Sequence, residues 1–406
     1  MSVNPALQPL TGLTVIDLSE GIAGPYCTKL LADFGARVIK VERPGGDVAR
    51  RWGPFPTGDA NPEASGTFLH LNTNKHGIVV DWLRPEGARI VRDLACSADV
   101  LVDACRPGML AEAGLGVGRL LAETPRLVVC SITGFGQSGP YCDYEMTEIV
   151  AFAMGGPMNA SGIPDREPVK LVGNVVQAHA GANACAAILA AAYHAGRTGV
   201  GQHLDVAVFE TQNGSLDRRR YYNLAYQYSS TVTLRQATVG LARPAPGGRF
   251  LAHDGRWVTT GRIWPDHVER MGKILGLRLD ASILSEQGDA ARAEVNAAIA
   301  AWVAERDSRQ AMRDAQAQGW PVVVVNDPLS LLDDDHLVAR NYWRRAGHPV
   351  AGDLPYCGPP WRTQGSGWVL RRTAPTLGQD TDRILREDAG CRASDIAALR
   401  RLGVVA

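Results

Sequence analysis

After the first apolar run of the chain comes a glycine-punctuated turn, Gly21-Ile22-Ala23-Gly24-Pro25, and an acid, Glu42, closes the second run. A glycine turn leading into a helix, with an acid further on, is the pattern that seats the diphosphate and ribose of a dinucleotide. The spacing here is G-x-x-G-P rather than G-x-G-x-x-G, and Pro25 removes one of the N–H groups a diphosphate would use. These residues therefore read against a nicotinamide cofactor. A second segment, Gly134-Phe135-Gly136-Gln137-Ser138-Gly139-Pro140, has enough glycine to bring backbone close to a ligand or to move as a flap. It reads equally as a tight turn after a strand, and the two roles are compatible.

The eight cysteines (Cys27, Cys96, Cys105, Cys130, Cys142, Cys185, Cys357 and Cys391) include no C-x-x-C pair and no neighbouring histidine run. That spacing fits neither a zinc site nor the disulfide framework of a small secreted domain, so they read as reduced thiols, several of them buried. His179 has a suitable intrinsic pKa for a general base, but a lone histidine near a helix start more often packs or caps.

Strands and helices that must position such groups alternate through the first third. Thr14 to Leu18 and Arg37 to Val41 read as apolar strands, with a helix over Pro25 to Phe34 between them. Ile78 to Val80, Val100 to Val102 and Leu127 to Ile132 continue the strands, separated by helical patterns over Pro85 to Cys96 and Met109 to Ala122. This alternation predicts right-handed βαβ units and an α/β fold with an open parallel sheet covered on both faces. An alanine-rich helix over Gly181 to Gly196 and a strand from His203 to Val208 follow. The segment 216–327 changes character, with Arg218-Arg219-Arg220-Tyr221-Tyr222 at its start, a loop over Pro244 to Gly248 and a strand over Arg256 to Thr260. Helices are expected over Pro265 to Leu275, Ala290 to Glu305 and Ser308 to Gln318. It is read as a smaller α/β domain inserted between residues 1–215 and a return, 328–406, to the larger one. Tyr342 to Arg372 shows no sustained period, as expected of a stretch that wraps something.

With 406 residues, 45% of them hydrophobic, the chain can bury a sizeable core, and its length suggests two domains or more. A formal net charge of zero argues against a nucleic-acid surface or a basic membrane-binding face. No uninterrupted apolar run approaches the roughly 20 residues of a bilayer span, and Met1-Ser2-Val3-Asn4-Pro5 lacks signal-peptide character, so a cytoplasmic location is expected.

Several separated stretches carry a resemblance. They are Leu10-Thr11-Gly12-Leu13-Thr14-Val15-Ile16-Asp17-Leu18, Gly21 to Cys27, Leu31 to Pro44, Leu71-Asn72-Thr73-Asn74-Lys75 and Ala98 to Gly108. Gly134 to Tyr141, Thr198-Gly199-Val200-Gly201-Gln202 and Ala374-Pro375-Thr376-Leu377-Gly378 complete the set. In this order they resemble the class III, carnitine-dehydratase-like, CoA-transferases over nearly the whole chain. The resemblance implies a large Rossmann-like domain plus a smaller one, two subunits threaded through each other as interlocked rings, and a coenzyme A thioester as substrate, with no permanently bound cofactor and no metal. It places Ala23, Arg43, Lys75 and Arg106 at CoA-binding positions, where fixed cations suit the phosphates, and Gly134, Gly136 and Gln137 in an active-site loop. The chain departs at Ala104-Cys105, where the family often has Asn-Phe, and at Glu112, where some members have arginine; a carboxylate there would repel a phosphate.

The departure with the largest consequence lies at the nucleophile. A carboxylate can attack a thioester carbonyl and then carry the acyl group, splitting one hard step into easier ones. In the family this is an aspartate four residues before the glycine that opens the alanine-rich helix, and counting back from Gly181 gives Gln177. A neutral amide cannot form the anhydride. One reading is a catalytically silent subunit acting with a homologous subunit that carries the aspartate. Another is a self-sufficient homodimeric transferase in which Glu145, Glu148, Asp165 or Glu167 substitutes, or an α-methylacyl-CoA racemase, for which His179 would be a base. A third is a binding or scaffold protein that has lost CoA.

Overall fold

A computed structural model describes residues 8–56, 58–214, 224, 226–230, 232, 235, 246–260, 264–284, 289–364 and 367–406. Within them Thr14–Asp17 (β1), Arg37–Glu42 (β2), Lys75–Val79 (β3), Val100–Asp103 (β4), Val128–Thr133 (β5) and His203–Ala207 (β6) form one parallel sheet in the order β3-β2-β1-β4-β5-β6. Successive strand residues supply opposite faces. Val15, Val38, Val100, Val102 and Val128 enter one apolar cluster. Their neighbours Ile16, Ile39, Leu101 and Val129 enter another. Both faces are therefore covered, and the short apolar runs that predicted strands are buried on each side.

Ala23–Asp33 (α1) follows β1, and Pro85–Ser97 (α2) links β3 to β4. The pattern over Met109 to Ala122 is not one helix but two, Met109–Glu112 and Val117–Glu123, because Gly114 turns left-handed (φ +78°) between them. The alanine-rich helix is longer than expected: α3 runs Val175–Thr198 and packs on α1 and β5. Close approach depends on glycine, since a Cβ at Gly181 would stand 2.4 Å from the Ala23 carbonyl oxygen. Although no uninterrupted apolar run predicts a span, α3 is long and apolar enough, by length and composition alone, to cross a membrane. Its buried residues, among them Val176, Ala180, Ala184 and Ile188, belong to the core cluster on α1.

The described chain divides into two compact units: Met1–Ser161, Pro168–Thr233 and Asn341–Ala406 in one, Gly162–Glu167 and Leu234–Arg340 in the other. The domain limits expected from sequence, at 215/216 and 327/328, stand beside these. The second unit holds an antiparallel sheet of Arg249–Leu251 (β7), Trp257–Thr260 (β8) and Val322–Val324 (β9), with Pro265–Leu275, Asp289–Ala304 (α4) and Ser308–Ala317 (α5) among its helices. The Arg218 to Tyr222 run and the first part of the Pro244 to Gly248 loop lie outside the described residues.

Tyr342 to Arg372 is not structureless. Trp343–His348 (β10) pairs antiparallel with Gly352–Cys357 (β11), and the Val350 and Ala351 N–H groups donate to His348 Nδ1 across the turn. The run Trp343-Arg344-Arg345-Ala346-Gly347-His348 hides the hairpin because it lacks two-residue alternation. Beyond it the tail is pinned to the first unit: Trp368 Nε1 donates to Asp33 (2.8 Å) and Arg371 Nη2 to the Ala32 carbonyl (2.6 Å).

Replacing Gly181 with alanine forces a Cβ against a backbone carbonyl that cannot rotate away. The expected cost is about 2–3 kcal/mol, read as a lowered urea midpoint; an unchanged midpoint would mean that the α1–α3 contact is looser than described.

Candidate active site

In open α/β sheets ligands bind beyond the carboxyl ends of the strands, where the strand order reverses. Here that point lies between β1 and β4. The loops meeting there are Leu18 to Ile22 after β1, Arg43 after β2 and Ala104 to Gly108 after β4, with Gly134 to Gln137 after the neighbouring β5.

Beneath the first loop lies a cluster of fully buried charges. Lys75 Nζ donates to Asp17 Oδ2 (3.0 Å), the Pro25 carbonyl (2.9 Å) and Asn72 Oδ1 (2.8 Å). Lys40 Nζ lies 2.8 Å from Asp47 Oδ2 and donates to the Ser19 carbonyl (2.5 Å). Arg50 grips Glu42 through Nε (2.6 Å) and Nη2 (2.7 Å). Asp47 Oδ1 in turn accepts from the Gly21 N–H (2.9 Å). Burial alone would raise the Asp17 pKa, but Lys75, Lys40, Ser19 and Thr28 outweigh it and bring it to about 2. Burial lowers the Lys75 ammonium to about 8, against the pull of Asp17.

This corrects the expectation for Lys75. All three of its N–H donors are spent inside the protein and its side chain is fully enclosed, so it braces the β1–α1 loop rather than meeting a phosphate. Arg43 lies just after β2, partly exposed and paired with Glu20 (3.2 Å). Ala23 opens α1 and is buried. Arg106 is exposed and makes a two-pronged ion pair with Glu112, through Nη1 to Oε1 (2.9 Å) and Nη2 to Oε2. Glu112 therefore does not stand as a free charge facing a ligand; it neutralises the arginine beside it.

A small cavity of about 80 Å³ brings Arg106 and Gln137 together with Asp103 and Ser131. The Gln137 N–H donates to both Asp205 oxygens (3.1 and 3.0 Å), which ties the glycine loop to β6, and Gly136 takes a left-handed φ of +89° to make that turn. Ser131 Oγ donates to Asp103 Oδ2 (2.7 Å) and lies 3.0 Å from His203 Nε2. With its one proton given to Asp103, the hydroxyl accepts from His203. Burial pushes Asp103 up to about 6; Ser131 and the Cys105 N–H oppose this and Asp205 adds to it. None of this chain was read from the sequence. Its signal was a carboxylate ending the apolar run Val100-Leu101-Val102, since a buried acid must have partners.

Gln177 occupies the first turn of α3, one turn before Gly181 on the same helix face. Glu148, a buried acid, accepts from the Val176 N–H (2.8 Å) and the Gln177 N–H (3.2 Å), one bond to each carboxylate oxygen. It closes the helix N-terminus, where an anion is favoured. Among the described residues the Gln177 side-chain amide makes no hydrogen bond. Glu145 is exposed, as are Asp165 and Glu167, which belong to the second unit. His179 lies 3.5 Å from Gln212 Nε2. The cysteines are free thiols; burial raises Cys185 to about 11 and Cys105 to about 12 and pushes Cys27 and Cys130 upward as well, which removes their thiolates at neutral pH. Among the described residues no His, Cys, Asp or Glu cluster could hold a metal ion.

The first unit is a doubly wound α/β fold whose switch-point crevice is bordered by glycine turns and by two glutamate-paired arginines, Arg43 and Arg106. The chain belongs to CoA-transferase family III, whose model matches residues 10–381. It is 32% identical, over 98% of both chains, to the succinyl-CoA–L-malate CoA-transferase beta subunit of Chloroflexus aurantiacus. It is 30% identical, over 98% of both chains, to the succinyl-CoA:(R)-benzylsuccinate CoA-transferase subunit BbsE of Thauera aromatica. Among solved structures it is similar to a CaiB/BaiF family protein from Brucella suis, with a TM-score of 0.80 and 29% identity over 94% of this chain and 99% of that one.

Asp103 generates a pH prediction. Its pKa is raised to about 6 in the fold from 3.8, so the neutral carboxyl is the form the fold prefers. The associated stability is complete below pH 3.8 and is lost as pH rises through about 6. Relative to Asp103→Asn, the unaltered chain should lose on the order of 2 kcal/mol of denaturation free energy between pH 4 and 7. Parallel pH profiles for the two proteins would contradict the buried-acid assignment.

Proposed function

We propose that this chain is the catalytically silent subunit of a heteromeric CoA-transferase, acting with a homologous subunit that carries the nucleophilic aspartate. Together they move CoA from an acyl-CoA such as succinyl-CoA to a carboxylic acid. The observation that carries the reading is Gln177 at the first turn of α3, with Glu148, which accepts from its backbone N–H, engaged at both oxygens.

In the competent subunit a carboxylate attacks the thioester carbonyl and the CoA thiolate leaves, giving a mixed anhydride. The thiolate then attacks the enzyme's acyl carbon, releasing the first acid and forming an enzyme thioester, which the acceptor carboxylate opens in the reverse sequence. Gln177 cannot begin this series, because an amide offers no anionic oxygen. Glu148 is a poor substitute, because two N–H bonds at a helix N-terminus stabilise its negative charge and occupy both oxygens. Gln177 can instead hydrogen-bond a ligand without reacting with it.

Two relatives that match nearly end to end are themselves described as subunits, which supports a partner. Exposed apolar side chains along α3 and just before it support it too: Val172 is 95% exposed, and Leu171, Val175, Leu189 and Tyr193 are exposed. Exposed apolar side chains of this kind suit an interface, and a homologous subunit interlocked with this one is the proposed occupant. The relatives named for L-malate, D-citramalate and (R)-benzylsuccinate share a dicarboxylate, which supports a dicarboxylate as the acceptor.

Expressed alone, the chain should transfer no CoA between succinyl-CoA and carboxylate acceptors. Co-expressed with the homologue encoded nearest to it, it should copurify in equal amount and the pair should be active. Gln177→Ala should then change the pair's kcat by less than about tenfold, against roughly 10⁴ or more for loss of the partner's nucleophile. Full activity of the lone chain would sink the proposal.

A further inference from the structure

We infer that the second unit carries a binding groove for a phosphoanion of two or more charges, a diphosphate group, built on Arg256, Arg306, Arg309 and Arg313. This site lies wholly within that unit and is independent of the transferase reading.

The groove encloses about 820 Å³ between the β7–β8 turn and the junction of α4 with α5, within the size range of small-molecule sites. Its walls are fixed to each other. Asp254 Oδ2 accepts from the Ser308 N–H (3.2 Å) and hydroxyl (2.7 Å), and the His253 N–H donates to the Arg306 carbonyl (2.9 Å). Arg309 and Arg313 stand one turn apart on α5, so they share a face, and Arg256 approaches from the start of β8.

Arg306 is held in place. Its guanidinium carbon lies 4.5 Å from the centre of the Trp302 ring, and Nη1 donates to the Trp302 carbonyl (2.8 Å). Among the described residues the guanidinium groups of Arg256 and Arg309 make no hydrogen bond or close ion pair, although Asp254 and Asp327 attract Arg256 at longer range. Arg313 donates only to the neutral Gln310 (2.8 Å). Arg306 is already offset by Glu305 (3.5 Å) and Asp314 (3.7 Å), so the positive charge a multivalent anion would meet is that of Arg256, Arg309 and Arg313.

Carboxylates also line the groove, but each has a partner. Asp254 serves Ser308, Asp307 lies 3.5 Å from His253 Nδ1, and Glu305 lies 3.5 Å from Arg306. The fork geometry of guanidinium matches phosphoryl oxygens, and two unspent forks call for a ligand with more than one anionic group.

Calorimetric titration of the full chain with inorganic diphosphate at low salt should give saturable binding. The double variant Arg256→Gln/Arg309→Gln should weaken it by about tenfold or more, while Arg43→Gln, in the other unit, should leave it unchanged. Both substituted arginines are at the surface, so a matched melting temperature would confirm an intact fold. ADP binding lost in the same double variant would identify a nucleotide as the source of the diphosphate, and binding of diphosphate without ADP the free anion; either upholds the site. No saturation in the millimolar range, or binding that survives the double variant and disappears with Arg43→Gln, would overturn it.

Discussion

The buried pairing of Asp17 with Lys75, extended through Lys40, Asp47, Glu42 and Arg50, is the constraint on which the crevice depends. Three acids and three bases are removed from water under the carboxyl ends of β1 and β2, and every one finds an opposite charge within 3.0 Å. Such a cluster adds little net stability, but removing one partner leaves an uncompensated charge and costs about 3–5 kcal/mol. What it gives the molecule is position. Lys40 takes the Ser19 carbonyl and Asp47 the Gly21 N–H, so the β1–α1 loop is held at both ends. Gly24 completes the fit, since a Cβ there would lie 2.2 Å from Ser19 Cβ. A glycine turn that superficially imitates a dinucleotide fingerprint is thus shaped by charges beneath it.

Above that base the crevice is electrostatically balanced by its own side chains. Arg43 has Glu20 and Arg106 has Glu112, so an entering phosphate meets cations that already have partners. Exposed pairs of this kind are worth roughly 0–1 kcal/mol and can be exchanged for a ligand's anion at small cost. The position proposed as reactive is different in kind. Glu148 closes the first turn of α3 and Gly181 lets α3 sit on α1, while position 177, where we propose the nucleophile is missing, holds a neutral amide. On the proposed reading scaffold and reactivity have separated, as expected of a subunit whose partner performs the reaction.

Much of the fold was legible because short apolar runs such as Thr14 to Asp17 and Val128 to Ile132 have one reading when buried on both faces. The limits of α3 were less so: its first turn, from Val175, depends on Glu148, twenty-eight residues away, and no local pattern announces that bond. The β10–β11 hairpin escaped because His348 closes it by a tertiary-style side-chain bond and its strands do not alternate. At the site, residue type was readable but partnership was not. Arg43 and Arg106 reach the surface while Lys75, an equally plausible cation, is enclosed, because Asp17, Asn72 and the Pro25 carbonyl converge on it only after folding. Lys40 within Val38-Ile39-Lys40-Val41 was the available clue, since a lysine inside an otherwise apolar strand must be paired.

The central claim, that Gln177 makes this chain the silent half of a CoA-transferase, is tested most directly by trapping the covalent intermediate. The chain alone and the copurified pair would each be incubated with succinyl-CoA, quenched with borohydride or hydroxylamine, and mapped by peptide mass spectrometry. The account predicts a label on an aspartate of the partner and none on this chain. A label on Glu148, or on any other acid of this chain, would contradict it and identify the nucleophile that replaces the missing aspartate.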